Sequence, residues 1–378
     1  MTAIHFSKRS SFPSEENALA RALRKHPPRV DLTLANPTEA DLPYASDLLS
    51  ILGDPNGLRY EPLSFGNEAL REFLGARVAL PTEQVLLTAS TSEAYSFLFK
   101  LLADSGDIVH VPSPSYPLFE HLADLEGVRL EPYRLAYDGA WHIDFSSLVV
   151  GDRSRAILIV SPNNPTGHYL KRPELARLAE YGLPLVSDDV FFPYAHREDP
   201  SRASVLDAKD TNLVFSLRGL SKEAALPQLK LGWTYVDGPA PLLRESLRRL
   251  ELIADTFLSV GTPIQLAART ILERQEPVQR AILERAIANH HALRERLGTT
   301  SEVTLLHLEG GWYATLRLPA SRSEEDWVLE LLAHEGVLVH PGHFFDFHEE
   351  PYVVVSLLVP EAEFRLGIDA LLGYVERS

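Results

Sequence analysis

Cysteine is absent from all 378 residues. Its absence excludes disulfides, thiolate metal sites and a catalytic thiol. It also fits a reducing compartment, so a cytoplasmic location is expected. Basic charge is scarce: 36 Lys plus Arg stand against 52 Asp plus Glu, a formal charge of −16. So acidic a chain repels polyanions, and neither nucleic acid nor an anionic membrane surface is an expected partner. No run of eighteen apolar residues occurs, and the opening MTAIHFSKRS has no apolar core. Neither a spanning helix nor a secretion signal is expected. Lysine itself occurs only seven times, at positions 8, 25, 100, 171, 209, 222 and 230, while arginine supplies the other 29 basic residues. Where arginine is the default cation, a lysine hints that a primary amine is wanted.

What is present is ordinary for a globular chain: 45% hydrophobic and 23% charged residues. The length exceeds one compact core, so two domains are expected. No repeat or low-complexity segment interrupts the chain. Short apolar runs read as buried strands at Val85–Thr88, Ile108–Val111, Arg129–Tyr133, Ala156–Val160, Leu183–Ser187, Leu213–Leu217 and Leu231–Val236. Amphipathic segments such as Ser92–Leu102 and Arg172–Tyr181 lie between them. This alternation predicts an α/β fold: a three-layer large domain with a mostly parallel seven-stranded sheet, at residues 46–284. Residues 241–297 read mostly as helix. A smaller α+β domain is expected at 285–378, with the segment 1–45 packing on it.

Ligands of such sheets sit outside the carboxyl ends of the strands, so residues there are weighed first. Ala156–Val160 runs into Ser161-Pro-Asn-Asn-Pro-Thr-Gly167. That is either a tight turn or a turn aiming an Asn amide at a ligand. Leu183–Ser187 ends in Asp188-Asp189. These are helix caps or solvated acids, or else include a partly buried carboxylate that needs a cation, such as a protonated ring nitrogen. Leu213–Leu217 leads to Arg218-Gly-Leu-Ser-Lys222. Lys222 is a surface lysine or a desolvated amine usable as nucleophile or base. Thr88-Ala-Ser-Thr-Ser-Glu-Ala94 opens a helix. Its hydroxyls are N-caps or an anion cradle fit for phosphate. Together the four segments could hold a phosphorylated pyridine aldehyde, with the lysine on the aldehyde and the carboxylate on the ring nitrogen.

In order and spacing the chain resembles the class I/II aminotransferases, fold type I pyridoxal-phosphate enzymes of the aspartate aminotransferase superfamily. The segment GLSKEAALPQLKLGW at 219–233 is similar to the family's Schiff-base segment. The resemblance makes Lys222 the Schiff-base lysine and Lys230 the cationic phosphate ligand. SPNNPTG makes Asn164 the ligand of the cofactor's ring oxygen. VSDDVF makes Asp188 the partner of the pyridine nitrogen and places Phe191 beside the cofactor. TASTSEA makes Ser90, Thr91 and Ser92 phosphate contacts, and VPSPSYP makes Tyr116 the aromatic stacked on the ring. RYEPLSFGNEALREFL makes Tyr60 the tyrosine that reaches the neighbouring subunit's phosphate, which implies a homodimer.

The departures are specific. The family's Asp-x-x-Tyr motif ends here in Phe191, Lys230 stands where an arginine is usual, and Gly219 replaces a serine. The strand that normally carries Arg-x-Ser, with its arginine on the substrate carboxylate, reads Val354-Val355-Ser356. Ala35-Asn36-Pro37 stands where Gly-x-Pro is usual. Arg59, Arg218 and Arg317 are candidate substitutes, and His340 and His343 lie in a PGHFF loop.

The resemblance implies a pyridoxal 5′-phosphate-dependent aminotransferase. It would move an amino group between an amino acid or amine and a 2-oxo acid. A lyase, decarboxylase or cyclase on the same cofactor is the alternative, and a non-catalytic cofactor-binding protein is a further one. No metal site is expected. The pair His290-His291 lacks ligand spacing and reads as a solvated helix face.

Overall fold

The computed structural model describes residues 4–11, 16–298, 302–347 and 351–378. Helix α1 (Ala18–Lys25) is capped by the Asn17 side chain and precedes a two-residue strand, β1 (Val30–Asp31). Helix α2 (Glu68–Ala76) is capped by Asn67, whose Oδ1 accepts from the Leu70 N–H. The main sheet then forms from β2 (Val85–Thr88), β3 (Ile108–Ser113), β4 (Arg129–Tyr137), β5 (Trp141–Ile143), β6 (Ser154–Val160), β7 (Leu185–Asp188), β8 (Val214–Gly219) and β9 (Gly232–Asp237). Between them run α3 (Thr91–Leu102), α4 (Leu118–Glu126), α5 (Arg172–Ala179) and the short α6 (Leu220–Glu223).

The spatial order is β2-β9-β8-β7-β6-β3-β4-β5. The pairs β8–β7, β7–β6, β6–β3 and β3–β4 are parallel, while β9 and β5 run antiparallel to their neighbours. The sheet thus has eight strands where seven were expected. The extra one, β5, folds back as a hairpin on β4. Three residues are too few to show a period of two in sequence.

Both faces of the sheet are covered. Along β6, Ala156, Leu158 and Val160 pack with Phe97, Leu98, Phe119 and Leu250 of α3, α4 and the later helix α7 (Ala240–Phe257). The alternate residues Ile157 and Ile159 pack with Leu175 and Leu178 of α5. At the other edge Val85, Leu87 and Trp233 meet α2 and α8 (Thr262–Glu273). This makes three layers, with apolar runs continuous because each strand is buried twice.

Helix α9 (Glu276–Leu297) follows unbroken. Its Val278 and Ile282 join an apolar cluster with Phe191 and Trp312, and its Ala286, Leu293 and Leu297 enter a separate core. The division drawn from sequence between residues 284 and 285 falls inside this helix. The second core covers a four-stranded antiparallel sheet, ordered β10 (Thr304–Leu305), β11 (Tyr313–Arg317), β14 (Tyr352–Ser356) and β13 (His340–Pro341). Helices α10 (Glu324–Glu335) and α11 (Glu361–Arg377) pack on it. A further strand, β12 (Val337–Leu338), pairs in parallel with β1 and brings the buried Leu32 into this core. Among the described residues no helix is long and apolar enough to cross a membrane.

Candidate active site

Because β2, β6, β7 and β8 point the same way, their carboxyl ends share one edge. Strand β9 runs opposite, so its amino end lies there too, with Gly232 registered against both Thr88 and Gly219. A Cβ on Gly232 would meet the Ser90 carbonyl carbon at 3.0 Å, so the glycine lets the two segments close up. A cavity of about 280 Å³ opens at this edge. Its walls include Ser90, Thr91 and Ser92 after β2, Asn164 after β6, Asp188 ending β7, Phe191 beyond it, Lys222 after β8 and Lys230 before β9. Tyr116, after β3, closes one side. Nine residues singled out in the sequence therefore meet in one place.

Each is held by its local structure. Ser90 is the N-cap of α3, its Oγ accepting from Glu93 N–H at 3.2 Å. The capping reading holds for Ser90, while Thr91 and Ser92 in the first turn line the cavity beside the positive helix end. Lys230 sits at φ 50°, a left-handed conformation that costs energy for a residue with a Cβ. Gly167 ends the Asn-Pro-Thr-Gly turn at φ +70°, where a Cβ would lie 2.6 Å from the Gly310 carbonyl oxygen. The turn is thus pinned against the segment leading to β11. Lys222 lies in the short helix α6. Tyr194 anchors that helix by donating to the Lys222 carbonyl at 2.6 Å.

Electrostatics separates the two aspartates. Strand alternation turns Asp188 to the cavity and Asp189 away, where it accepts from Ser187 Oγ at 2.6 Å and from Ser216 Oγ. Burial raises the Asp188 carboxyl to about 6, against the pull of hydrogen bonds from the Tyr95 hydroxyl and the Val190 N–H. Burial also lowers the Lys222 ammonium to about 8, with Asp188 opposing the shift. The amine stands 5.3 Å from the Phe191 ring centre and 4.9 Å from that of Trp312. Phe191 in turn meets Trp312 edge-on at 5.1 Å. Asn164 Oδ1 is buried in the cavity wall with no partner among the described residues.

Tyr60 is the exception. It is 76% exposed and lines a separate cavity of about 330 Å³ together with Arg59. None of the candidate arginines lines the Lys222 cavity. Arg59 is exposed and pairs with Glu61 at 3.0 Å, Arg218 lies over the Phe192 ring, and Arg317 is exposed at the end of β11. His343 Nδ1 is 2.8 Å from Glu324, and His340 packs edge-on to Phe345. Val354 is fully buried in the cluster of Phe191, Trp312 and Tyr313, whereas Val353 and Val355 face the core of the four-stranded sheet.

Sequence reasoning missed Tyr95 and Tyr313. Tyr95 follows Thr91 by four residues in α3, so helical spacing put it on the cradle's face of the helix. Tyr313 lines the cavity from β11, in a strand whose pairing partner is distant in sequence and leaves no local signal.

Residues 58–371 match the family "aminotransferase class I and II". The chain is similar to the glutamate-pyruvate aminotransferase AlaA of Haemophilus influenzae, at 26% identity over 75% of this chain and 72% of that protein. It is 30% identical to capreomycidine synthase of Streptomyces vinaceus, over 80% of this chain and 78% of the relative. Among solved structures, alanine aminotransferase from Pyrococcus furiosus superposes with a TM-score of 0.88 at 23% identity, over 99% of this chain and 100% of that one.

Proposed function

Since this chain belongs to the aminotransferase class I and II family, we propose that the Lys222 cavity is where it performs pyridoxal-phosphate-dependent transamination between an amino acid or amine and a 2-oxo acid. A lyase, decarboxylase or cyclase outcome is less favoured. One observation carries the site assignment: a desolvated lysine, a buried carboxylate and a helix-end hydroxyl cradle line a single cavity.

The residues present fit pyridoxal 5′-phosphate. Asp188 is a buried carboxylate facing the cavity and needs a cationic partner, which a protonated pyridine nitrogen provides. Asn164 has an orphaned amide oxygen, and a rotation of that amide offers its N–H₂ to a ring oxygen instead. Ser90, Thr91, Ser92 and Lys230 would hold the phosphate, Tyr116 would stack on the ring, and Phe191 would pack beside it. Phe191 brings no hydroxyl, so the ring oxygen depends on Asn164 alone among these two.

When bound, the cofactor supplies an aldehyde for the amino group and an electron-withdrawing ring. Lys222 Nζ then acts as base and acid. It takes the proton from the donor's amine-bearing carbon and, with the acceptor, gives a proton back to the former carbonyl carbon. A lowered ammonium pKa suits both directions near neutral pH. The apolar rings of Phe191 and Trp312 keep water from the amine.

We further infer a homodimer in which Tyr60 reaches the other subunit's phosphate. The support is the apolar surface around it: Leu49, Leu58, Tyr60 and Leu63 are all exposed, Leu58 by 93%. A cytoplasmic location rests on the absence of cysteine.

The test is the absorption spectrum of the protein with added pyridoxal phosphate, beside Lys222→Ala. The wild type should gain a visible band that the variant lacks, and an amino donor should abolish that band while a 2-oxo acid appears. A wild-type protein without a lysine-dependent band would overturn the cofactor assignment.

A further inference from the structure

A third cavity, of about 550 Å³, lies away from Lys222. It is bounded by α9, by Leu305 at the end of β10 and residues 306–308 after it, by His196 and Arg197 beyond β7, and by the β4–β5 hairpin at Tyr137 and Gly139. Six of its lining side chains are basic: His196, Arg197, His290, His291, Arg294 and His307. Among the described residues no carboxylate lines it, in a chain with a net charge of −16.

The groups crowd one another. The His196 and His290 rings lie 5.7 Å apart, and Arg197 Nη2 is 3.4 Å from His307 Nε2. Three carboxylates nearby have partners of their own. Glu309 is held by Lys171 Nζ at 2.6 Å, and Asp199 takes the same amine at 2.9 Å. Glu295 stands 3.4 Å from His291 at the exposed rim. His290 is therefore not on a solvated helix face, as its sequence suggested, but turned into this cavity against His196. Burial and the neighbouring cations push it down to about 4, and His196 and His307 are lowered as well. Histidines beside two arginines, with no carboxylate in the lining among the described residues, leave a positive surface that an anion would fill. A cation would not: arginine does not ligate metals, and no three metal-ligating side chains are grouped to hold an ion among the described residues.

We propose that this cavity binds a multivalent oxyanion, with Arg197 and Arg294 as the charged donors and His290 and His307 completing its hydrogen bonds. Phosphate esters and polycarboxylates share that chemistry.

The test uses the holoenzyme saturated with pyridoxal phosphate, so that the phosphate cradle beside Ser90 is occupied. Inorganic phosphate and citrate are titrated separately by calorimetry, against wild type and an Arg197→Ala/Arg294→Ala double variant. Both arginines are exposed, so the fold tolerates their loss. At least one anion should bind, and the double variant should weaken it by about tenfold or more. The anion that binds identifies the class. Binding should also take up protons and shift the ring C–H resonances of His290 and His307 toward the protonated position, a change that His290→Gln abolishes for that residue. No binding of either anion at millimolar concentration would overturn the proposal. So would equal binding to the double variant.

Discussion

The Tyr95 hydroxyl donates to Asp188 Oδ2 at 2.9 Å, joining the middle of α3 to the last residue of β7. The phenol is itself buried, and burial together with the Asp188 charge holds its pKa well above 10. It therefore stays a donor at any working pH. It supports the carboxylate from behind while the other face of Asp188 remains on the cavity. The helix that caps the anion cradle with Ser90 thus also orients the acid across from it.

Tyr95→Phe removes that donor. The Asp188 pKa is already raised to about 6, so the carboxylate is present above that value and lost as pH falls through it. Without the hydrogen bond the pKa rises further. Cofactor affinity should then begin to fall at a higher pH than in wild type. At neutral pH it should be weaker by about 1–3 kcal/mol, the cost of leaving a buried acceptor short of a donor. Fluorescence titration with pyridoxal phosphate from pH 5 to 9 reads both effects. Identical profiles for variant and wild type would remove Tyr95 from the site's machinery.

Lys222 makes the opposite excursion. Its ammonium is lowered to about 8, chiefly by burial, so the neutral amine predominates above that pH and declines by about tenfold per unit below it. The rate at which cofactor-free protein captures pyridoxal phosphate should follow that fraction. It should rise with pH and level off above about 8, about two and a half pH units before an ordinary lysine would. Stopped-flow absorbance measures it. A rate still climbing at pH 10 would mean that the amine is not desolvated.

Much of this was legible in the chain. Buried strands announce themselves as apolar runs, and a lysine, an aspartate or an Asn-Pro turn at a run's end is visible without coordinates. That is why Lys222, Asp188 and Asn164 were found from sequence. Two kinds of feature were not visible. Contacts that depend on register across the fold leave no local pattern, as Tyr313 shows, since its place beside the cavity comes from pairing with Ser356. Elements too short for a period also escape, as with β5 and the single turn of α6 that carries Lys222. The face of β14 lies between these cases. Alternation implies that Val354 and Val353 point opposite ways, but only the structure says that Val354 takes the side of Phe191.

Val354 bears on substrate choice. Among the described residues, the cations lining the cavity are Lys222 and Lys230 alone, and Val354, at the position where the resemblance expects an arginine, sits in an apolar cluster. A substrate carboxylate here lacks a bidentate guanidinium, whose charge-assisted hydrogen bonds contribute about 1.5–3 kcal/mol each. An amino acid and its primary amide should therefore differ in kcat/KM by less than about tenfold. Steady-state assays with matched pairs decide this. An amide worse by more than about a hundredfold would show that a cation reaches the carboxylate from outside this chain's cavity.

Tyr60 offers the sharpest test of assembly. It lies in a different cavity from Lys222 within one chain, so it can serve a Lys222 site only by crossing to a second subunit. Two impaired variants should then complement each other. Lys222→Ala removes the base, a loss on the order of 10²–10⁴ in rate. Tyr60→Ala should remove the proposed crossing hydroxyl and weaken the hold on phosphate. In a mixed dimer, one site would combine Lys222 from the Tyr60→Ala chain with Tyr60 from the Lys222→Ala chain, and would be intact. The other site would lack both. Random re-association of equal amounts makes half the dimers mixed, each with one good site in two, so activity should recover to about a quarter of wild type. The assay is run at limiting pyridoxal phosphate, where the Tyr60→Ala homodimer is poorly loaded. Recovery only to the mean of the two parents would mean that each chain's Tyr60 plays no part in its neighbour's site.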